Sequence, residues 1–219
     1  FSDNKIRYEC KELIKIVNII KNTIVLDIGC ALGHHCKVFK DQKAKSTGLD
    51  KSAAMIKKAK SNYPTCLFVK GDMLNQKLFD RQRFNLLTCF YFTVYYTRQK
   101  DLFFKNCYYW LKPGGYLAIH LVNRDKFNPI IPAGDPLVIV SPQKHAKERI
   151  VTSLVQFNGY KYKSKFITHS MNKDKVVFKE TFKFKDNTYR INEHKLYMEE
   201  TKDILEIALN NGFTILSKI

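Results

Sequence analysis

Asp27, Gly29 and Gly33 stand in the spacing D-x-G-x-x-x-G, at the end of the apolar run TIVLDI, and two more acids, Asp50 and Asp72, close later apolar runs. Glycine lets a chain turn sharply and lets a ligand approach the backbone with no Cβ in the way. A helix beginning near His34 would offer its unpaired N–H groups to the same ligand. A carboxylate roughly twenty residues further on, at the end of the second strand, can accept hydrogen bonds from both hydroxyls of a ribose. Asp50 holds that place, although it reads equally as a cap for the helix that carries Met55, Ile56 and Ala59. Two common glycine fingerprints do not fit. A dinucleotide loop wants G-x-G-x-x-G, and counting from Gly29 the second and third places hold Ala31 and His34. A phosphate-binding P-loop wants Gly-Lys-Ser or Gly-Lys-Thr, and Gly33 is followed by His34 and His35.

These residues need elements to position them, and the pattern supplies strands alternating with helices. Ile6, Cys10, Leu13, Ile14, Val17 and Ile20 are spaced as one face of a helix over 6–20. Thr23–Ile28 is apolar on both sides of Asp27, as a buried parallel strand is. STGLD (46–50), CLFVKGD (66–72) and Phe84–Cys89 read as further strands, the last running into an aromatic stretch that ends at Thr97. A helix over Asp101–Leu111 ends at Lys112-Pro113-Gly114-Gly115, a turn into a strand over Tyr116–Val122. Strand–helix alternation is the signature of an α/β fold with a parallel sheet.

Composition bounds the class. The 219 residues are 45% hydrophobic and 13% aromatic, enough for one globular α/β domain with an insertion. No run is long and apolar enough to span a membrane. The six cysteines (10, 30, 36, 66, 89 and 107) form no C-x-x-C pair and several sit in apolar runs, which predicts free thiols in a reducing, cytoplasmic compartment. Cys30, His34, His35 and Cys36 lack a second ligand pair at a metal-site spacing, so no metal is expected. The formal charge is +18; of the 38 basic residues seven are Arg, leaving 31 Lys. A lysine-dominated excess argues less for nucleic-acid reading than arginine would, so the charge alone leaves the partner open.

Taken in order, Asp27-x-Gly29-x-x-x-Gly33, Asp50, Gly71-Asp72 and LKPGGYLAI resemble the successive motifs of class I S-adenosylmethionine-dependent methyltransferases, with Ala31 at the usual place of the middle glycine. The resemblance covers about 23–123 strongly and 176–219 loosely. It implies a Rossmann-like core, a mostly parallel seven-stranded sheet with helices on both faces, and a small antiparallel insertion near the C-terminus. It divides the chain into a cofactor-binding core (1–123), a lid and substrate-covering insertion (124–198), and a terminal helix and strand that complete the core sheet (199–219). The implied cofactor is S-adenosyl-L-methionine, lined by Asp27, Gly29, Cys30, Ala31, Gly33, Asp50, Lys51, Met55, Gly71, Asp72, Met73, Cys89 and Phe90. Asp72 would accept from the adenine amine, with Met73 in apolar contact.

The stretch Cys89–Tyr96 lacks the Asn/Asp-Pro-Pro-aromatic motif of nucleic-acid amine methyltransferases and the Pro-Cys of cytosine-C5 enzymes. It is similar to the corresponding stretch of amino-sugar and glycine-type N-methyltransferases, which places Tyr96, and after the next strand Asn123, beside a small-molecule acceptor. A looser similarity to mRNA cap guanine-N7 methyltransferases keeps RNA as an alternative partner, and a non-catalytic binding protein of the same fold is the third reading.

Residues 124–150, with four prolines, read as a long loop or lid. Beyond them the period changes to two: Tyr160, Tyr162 and Phe166 oppose Lys161, Lys163 and Lys165, and Val176, Phe178, Phe182 and Phe184 oppose Lys179, Lys183 and Lys185. With a third strand over 188–198 this predicts two or three half-exposed antiparallel strands. Glu180 falls on the apolar face between Phe178 and Phe182, where a carboxylate could take a proton or bind an ammonium group; Glu193 and His194 are further candidates. From Lys144 to Lys185 eleven basic residues face three acids, a solvated face or a landing surface for phosphorylated substrate or RNA. A helix over 199–211, stopped by Gly212, and a last strand over 213–219 close the chain.

Overall fold

A computed structural model describes residues 3–17, 22–127, 146–169 and 171–217. The chain divides into two compact units, one of residues 1–94, 99–121 and 205–219, the other of 95–98 and 122–204.

The first unit holds a five-stranded parallel sheet in the order β3-β2-β1-β4-β5. Its strands are β1 (Ile24–Ile28), β2 (Lys45–Asp50), β3 (Leu67–Lys70), β4 (Phe84–Cys89) and β5 (Leu111–Ile119). Helices α1 (Asp3–Val17), α2 (His34–Asp41), α3 (Ala53–Asn62) and α4 (Lys100–Trp110) intervene. Val25, Leu26 and Ile28 are buried, as branched residues in a strand covered on both faces must be. Ile6, Cys10 and Leu13 of α1 share a cluster with Val25, Leu86 and Phe39. A second cluster joins Cys30, Cys36 and Cys66 to Ile56, Ala59 and Phe68. Fully burying one side chain of this kind contributes about 1.5–3 kcal/mol. The strand order reverses direction between β1 and β4, and in open parallel sheets ligands bind at the carboxyl ends of the strands beside such a switch point. Gly29 follows β1 there and Phe90 follows β4.

The second unit holds a four-stranded antiparallel sheet, β6 (Thr152–Gln156), β7 (Tyr160–Thr168), β8 (Lys175–Phe184) and β9 (Tyr189–Tyr197), in sequential order. The predicted alternation is present: Tyr162, Ser164 and Phe166 are buried while Lys161, Lys163 and Lys165 are exposed. Arg124 ties the unit together from a short 3-10 turn (Arg124–Lys126): its Nη1 donates to Asp174 Oδ1 at 2.6 Å and to the Met198 carbonyl at 3.0 Å.

Four expectations need correction. The parallel sheet has five strands among the described residues, not seven, and the antiparallel strands form a sheet of their own, of four rather than two or three. The missed strand, β6, is too short and mixed to show a period. The predicted last strand is also absent from the described residues: after α5 (Thr201–Asn210) the Phe213 N–H turns back to the Ala208 carbonyl at 3.2 Å, and Phe213 packs its ring on Phe104 and Tyr108 of α4, at 5.9 and 5.7 Å, in place of joining a ladder. Finally, LKPGG is no turn before a strand but lies within β5. The pairing jumps from Phe84↔Leu111 to Leu86↔Tyr116, so proline and glycines are accommodated in an irregularity of the ladder. The proline-rich loop falls largely on 128–145, outside the described residues.

Arg124→Ala removes both connections to Asp174 and Met198. We expect a stability loss of about 2 kcal/mol, since hydrogen bonds of charged groups contribute roughly 1.5–3 kcal/mol each when buried and less when one partner is half-exposed, as Asp174 is. Urea denaturation followed by circular dichroism checks it; an unchanged midpoint would contradict the connecting role.

Candidate active site

The glycine loop lies between β1 and α2. Gly29 and Gly33 have φ of +73° and +83°, in the left-handed region that favours glycine. A Cβ on Gly29 would collide with the Thr93 side chain, and one on Gly33 would lie 2.5 Å from the Phe68 ring. Ala31 also has positive φ, +45°. What holds a non-glycine there is Asp50: its Oδ2 accepts the Ala31 N–H at 2.9 Å and its Oδ1 accepts the Ser52 N–H at 2.8 Å. The Gly29 and Cys30 N–H groups both donate to the Leu49 carbonyl, at 2.7 and 3.0 Å. The acid predicted to meet a ribose therefore also ties the loop to β2. Each of its oxygens keeps a further acceptor site.

Asp27 is 2% exposed and accepts from Thr88 Oγ1 at 2.7 Å and from Cys36 Sγ at 3.8 Å. Burial pushes its pKa up, against the charge of His35 and these hydrogen bonds. Its side chain braces β1 against β4 from below the loop. Cys30 and Cys89 are buried as well, the first in the cluster with Cys36 and Phe68, and burial raises the Cys89 thiol pKa. Their backbones border the loop and the end of β4. All six cysteines are free. His34 Nδ1 meets Tyr63 Oη at 2.7 Å and His35 meets Glu9, while the Cys30 and Cys36 side chains lie together in one buried cluster.

Further round the site, Asp72 Oδ1 accepts the Leu74 N–H at 3.0 Å and Oδ2 pairs with Lys51 Nζ at 2.8 Å. Burial acts to raise the Asp72 pKa, but these two bonds outweigh it and hold the carboxyl below its ordinary value. Gly71 donates to the Asp50 carbonyl at 3.0 Å, and the Met73 carbonyl accepts from Asn106 at 3.0 Å. Met55 is partly exposed at the start of α3, whose cap is Ser52. The structure thus gathers Gly29, Ala31, Gly33, Asp50, Lys51, Asp72 and Phe90 on one unit at the carboxyl ends of the strands. The glycines let Thr93 and Phe68 pack directly on the loop backbone, and Asp50 offers acceptors beside that loop, a set that fits S-adenosylmethionine.

A group that sequence reading passed over lies at the ends of β4 and β5 in the same unit. Glu9 of α1 is 3.2 Å from His35 Nε2, accepts from Tyr91 Oη at 3.2 Å, and lies 4.0 Å from His120 Nε2. Lys5 Nζ lies 3.8 Å from its other oxygen and 4.8 Å over the Tyr91 ring. Phe90 packs between His35 and His120, with ring centroids 4.8 and 4.4 Å away and the rings tilted. Tyr91 has φ of +54°, and its N–H donates to His120 Nδ1 at 3.2 Å. Burial lowers the His120 pKa and raises that of Tyr91. His120 is part of this group. Only the helical spacing of Glu9 from Ile6 and Leu13 hinted that it would lie at the edge of the buried face.

The three candidate catalytic residues, Tyr96, Asn123 and Glu180, all fall in the second unit. Asn123 Oδ1 caps the 3-10 turn after it, accepting from the N–H groups of Asp125 and Lys126 at 3.0 and 3.2 Å. Tyr96 Oη meets His194 Nδ1 at 2.6 Å, and His194 Nε2 lies 3.2 Å from Glu180 Oε2.

Comparison with known proteins agrees with this architecture. The fold is that of the class I methyltransferases: the chain superposes on a S-adenosylmethionine-dependent methyltransferase from Clostridium acetobutylicum with a TM-score of 0.76 at 18% identity, covering 99% of this chain and 83% of that one. It is also similar to CalS10, an amino pentose methyltransferase from Micromonospora echinaspora solved with S-adenosylmethionine bound (TM-score 0.67, 17% identity, 94% and 83% covered). Residues 25–115 match the family described as "Methyltransferase domain". By this match and this fold the chain is similar to the S-adenosylmethionine-dependent methyltransferases. In sequence it is 36% identical to trans-aconitate 2-methyltransferase of Escherichia coli over 66 residues, 29% of this chain and 26% of that protein. It therefore matches about a quarter of the length of those curated relatives.

Two substitutions separate backbone geometry from ligand contact. Gly29→Ala places a side chain at positive φ against Thr93, a strain of about 1–3 kcal/mol, and should abolish the thermal shift given by S-adenosylmethionine. Ala31→Gly, which relieves the positive φ and loosens the unfolded chain by similar amounts, should change stability by no more than about 0.5 kcal/mol and keep the shift. Asp50→Ala should weaken S-adenosylmethionine at least about tenfold by calorimetry, since it removes a charged acceptor worth roughly 1.5–3 kcal/mol and the anchor of the loop. Binding undiminished in Asp50→Ala would refute the assignment.

Proposed function

We propose that the chain binds S-adenosylmethionine on the loop described above and transfers its methyl group to an amine, or secondarily a hydroxyl, of a small molecule. When bound, the sulfonium group supplies an activated methyl; the protein has to orient the acceptor and free its lone pair.

The observation that carries the acceptor class is the Glu9 group. In the unit that carries the glycine loop, at the ends of β4 and β5, a carboxylate 12% exposed is set among the rings of Tyr91, His35 and His120. Carboxylate and aromatic faces together suit a positively charged group, and Lys5 already places an ammonium beside Glu9 and over Tyr91. The same arrangement repels a polyanion, which argues for a small amine over capped RNA. Lys161, Lys163 and Lys165 lie on the exposed face of the antiparallel sheet, as a solvated surface does. Asn123, expected beside the acceptor, is proposed here to act through the turn that it caps.

The test is a methyl-transfer screen over amines, amino sugars, carboxylic acids and capped RNA. Transfer to an amine is expected, and Glu9→Gln should raise KM for that amine about tenfold, about 1.4 kcal/mol, with S-adenosylmethionine affinity unchanged. Methylation of capped RNA alone, or of carboxylates alone, would overturn the reading.

A further inference from the structure

Ladder register lays out the outward face of the antiparallel sheet in rows, because residues directly opposite one another point to the same side. Lys165 of β7 lies opposite Lys179 of β8, and Lys161 opposite Lys183. Between these pairs, Lys163 stands against Leu154 of β6 on one side and Thr181 of β8 on the other. On β9, Ile191 continues the row of Thr181, Tyr189 that of Lys183, and Glu193 that of Lys179. Tyr162, Ser164 and Phe166 alternate with the lysines of β7 and are buried.

Two features of this face go beyond what solvation requires. Like charges directly opposite in a ladder are destabilising, and the two central strands carry two such pairs. Among the described residues no carboxylate lies within 4.0 Å of Lys161, Lys163, Lys165, Lys179 or Lys183; the ion pair on this face joins Lys195 to Glu193, both of β9, at 3.9 Å. Large apolar side chains also stand among the lysines. Leu154 is 72% exposed, Ile191 58% and Tyr189 59%.

We propose that this face docks on an anionic lipid surface. The ammonium groups reach the phosphate and carboxylate headgroups, and the lysine stems lie along Leu154 and Ile191, whose side chains enter the boundary of the acyl region. Charge complementarity supplies the attraction, and exposed aliphatic surface at both edge strands supplies a reason for lipid in particular. A nucleic acid fits less well. Arg190, the one arginine within β6–β9, lies opposite Phe182 and so belongs to the other face. Lysine meets phosphate as a point charge without the bidentate fork of arginine, and leucine and isoleucine give bases nothing to stack on. The ring of Tyr189 already has Lys183 Nζ over it, 5.5 Å from its centroid. The inference concerns the second unit alone and holds whatever the methyl acceptor is.

The test is flotation of the full chain with vesicles of phosphatidylcholine alone and of phosphatidylcholine and phosphatidylserine in equal parts. Binding is expected to the second kind only and should fall as salt is added. Lys161→Glu with Lys165→Glu turns both like-charge pairs into opposite-charge pairs. Its urea midpoint should therefore stay or rise, while its partition onto the serine vesicles falls at least about 25-fold, about fivefold for each lysine lost. The same charge change on α3 of the other unit, Lys57→Glu with Lys58→Glu, controls for net charge and should lower partition by less than about threefold. Leu154→Ser with Ile191→Ser, both at exposed positions, should weaken partition about tenfold at unchanged charge. Four results would overturn the proposal: no binding to serine vesicles, equal binding to both kinds, an equal loss in the α3 variant, or no loss in the Leu154 and Ile191 variant. A single-stranded RNA oligonucleotide held more tightly than the serine vesicles, and released by Lys161→Glu with Lys165→Glu, would assign the face to nucleic acid instead.

Discussion

The grip of one carboxylate on two backbone N–H groups decides much of the first unit. Asp50, at the end of β2, takes the Ala31 N–H with one oxygen and the Ser52 N–H with the other. The first bond holds a positive-φ alanine between two positive-φ glycines; the second fixes the start of α3. Beyond the Gly29 and Cys30 N–H groups, which reach the Leu49 carbonyl of β2, a loop with three left-handed residues needs other partners for its N–H groups. Charge-assisted bonds to a residue anchored in a buried parallel strand are about twice as strong as neutral ones. The same oxygens retain acceptor capacity toward a ligand.

Asp27 illustrates the other half of this division. It belongs to the motif that first draws attention to the chain, yet it is buried and satisfied by Thr88 and Cys36. Its place is to join β1 to β4 at the point where strand order reverses. A motif position is thus not always a ligand contact. Here the first acid sets the geometry and the second, Asp50, presents the acceptor.

The two sheets differ in how their sequences show them. β1 and β4 are buried on both faces and read as continuous apolar runs, and β7 and β8 are half-exposed and read as alternation. β6 is five residues with two exposed polar ends, too few to show a period. Residues 213–217 have a strand's composition but no partner, since Phe213 is held by rings on α4. Strand pairing is a contest between surfaces, and composition does not report who wins it.

From the sequence alone came the strand, glycine loop and helix, the order of Asp50, Gly71-Asp72 and LKPGG, and so the cofactor class, because each depends on local spacing along a few residues. Local spacing could also put Glu180 on an apolar face. It could not bring Tyr96 to His194, 98 positions away, or Glu9 to Tyr91, 82 away. Those meetings are set by ladder register and by the packing of α1 on the sheet, where a one-residue slip would turn every side chain to the other face. The sequence determined the loop and its spacing, and only the tertiary structure decided which distant side chains meet.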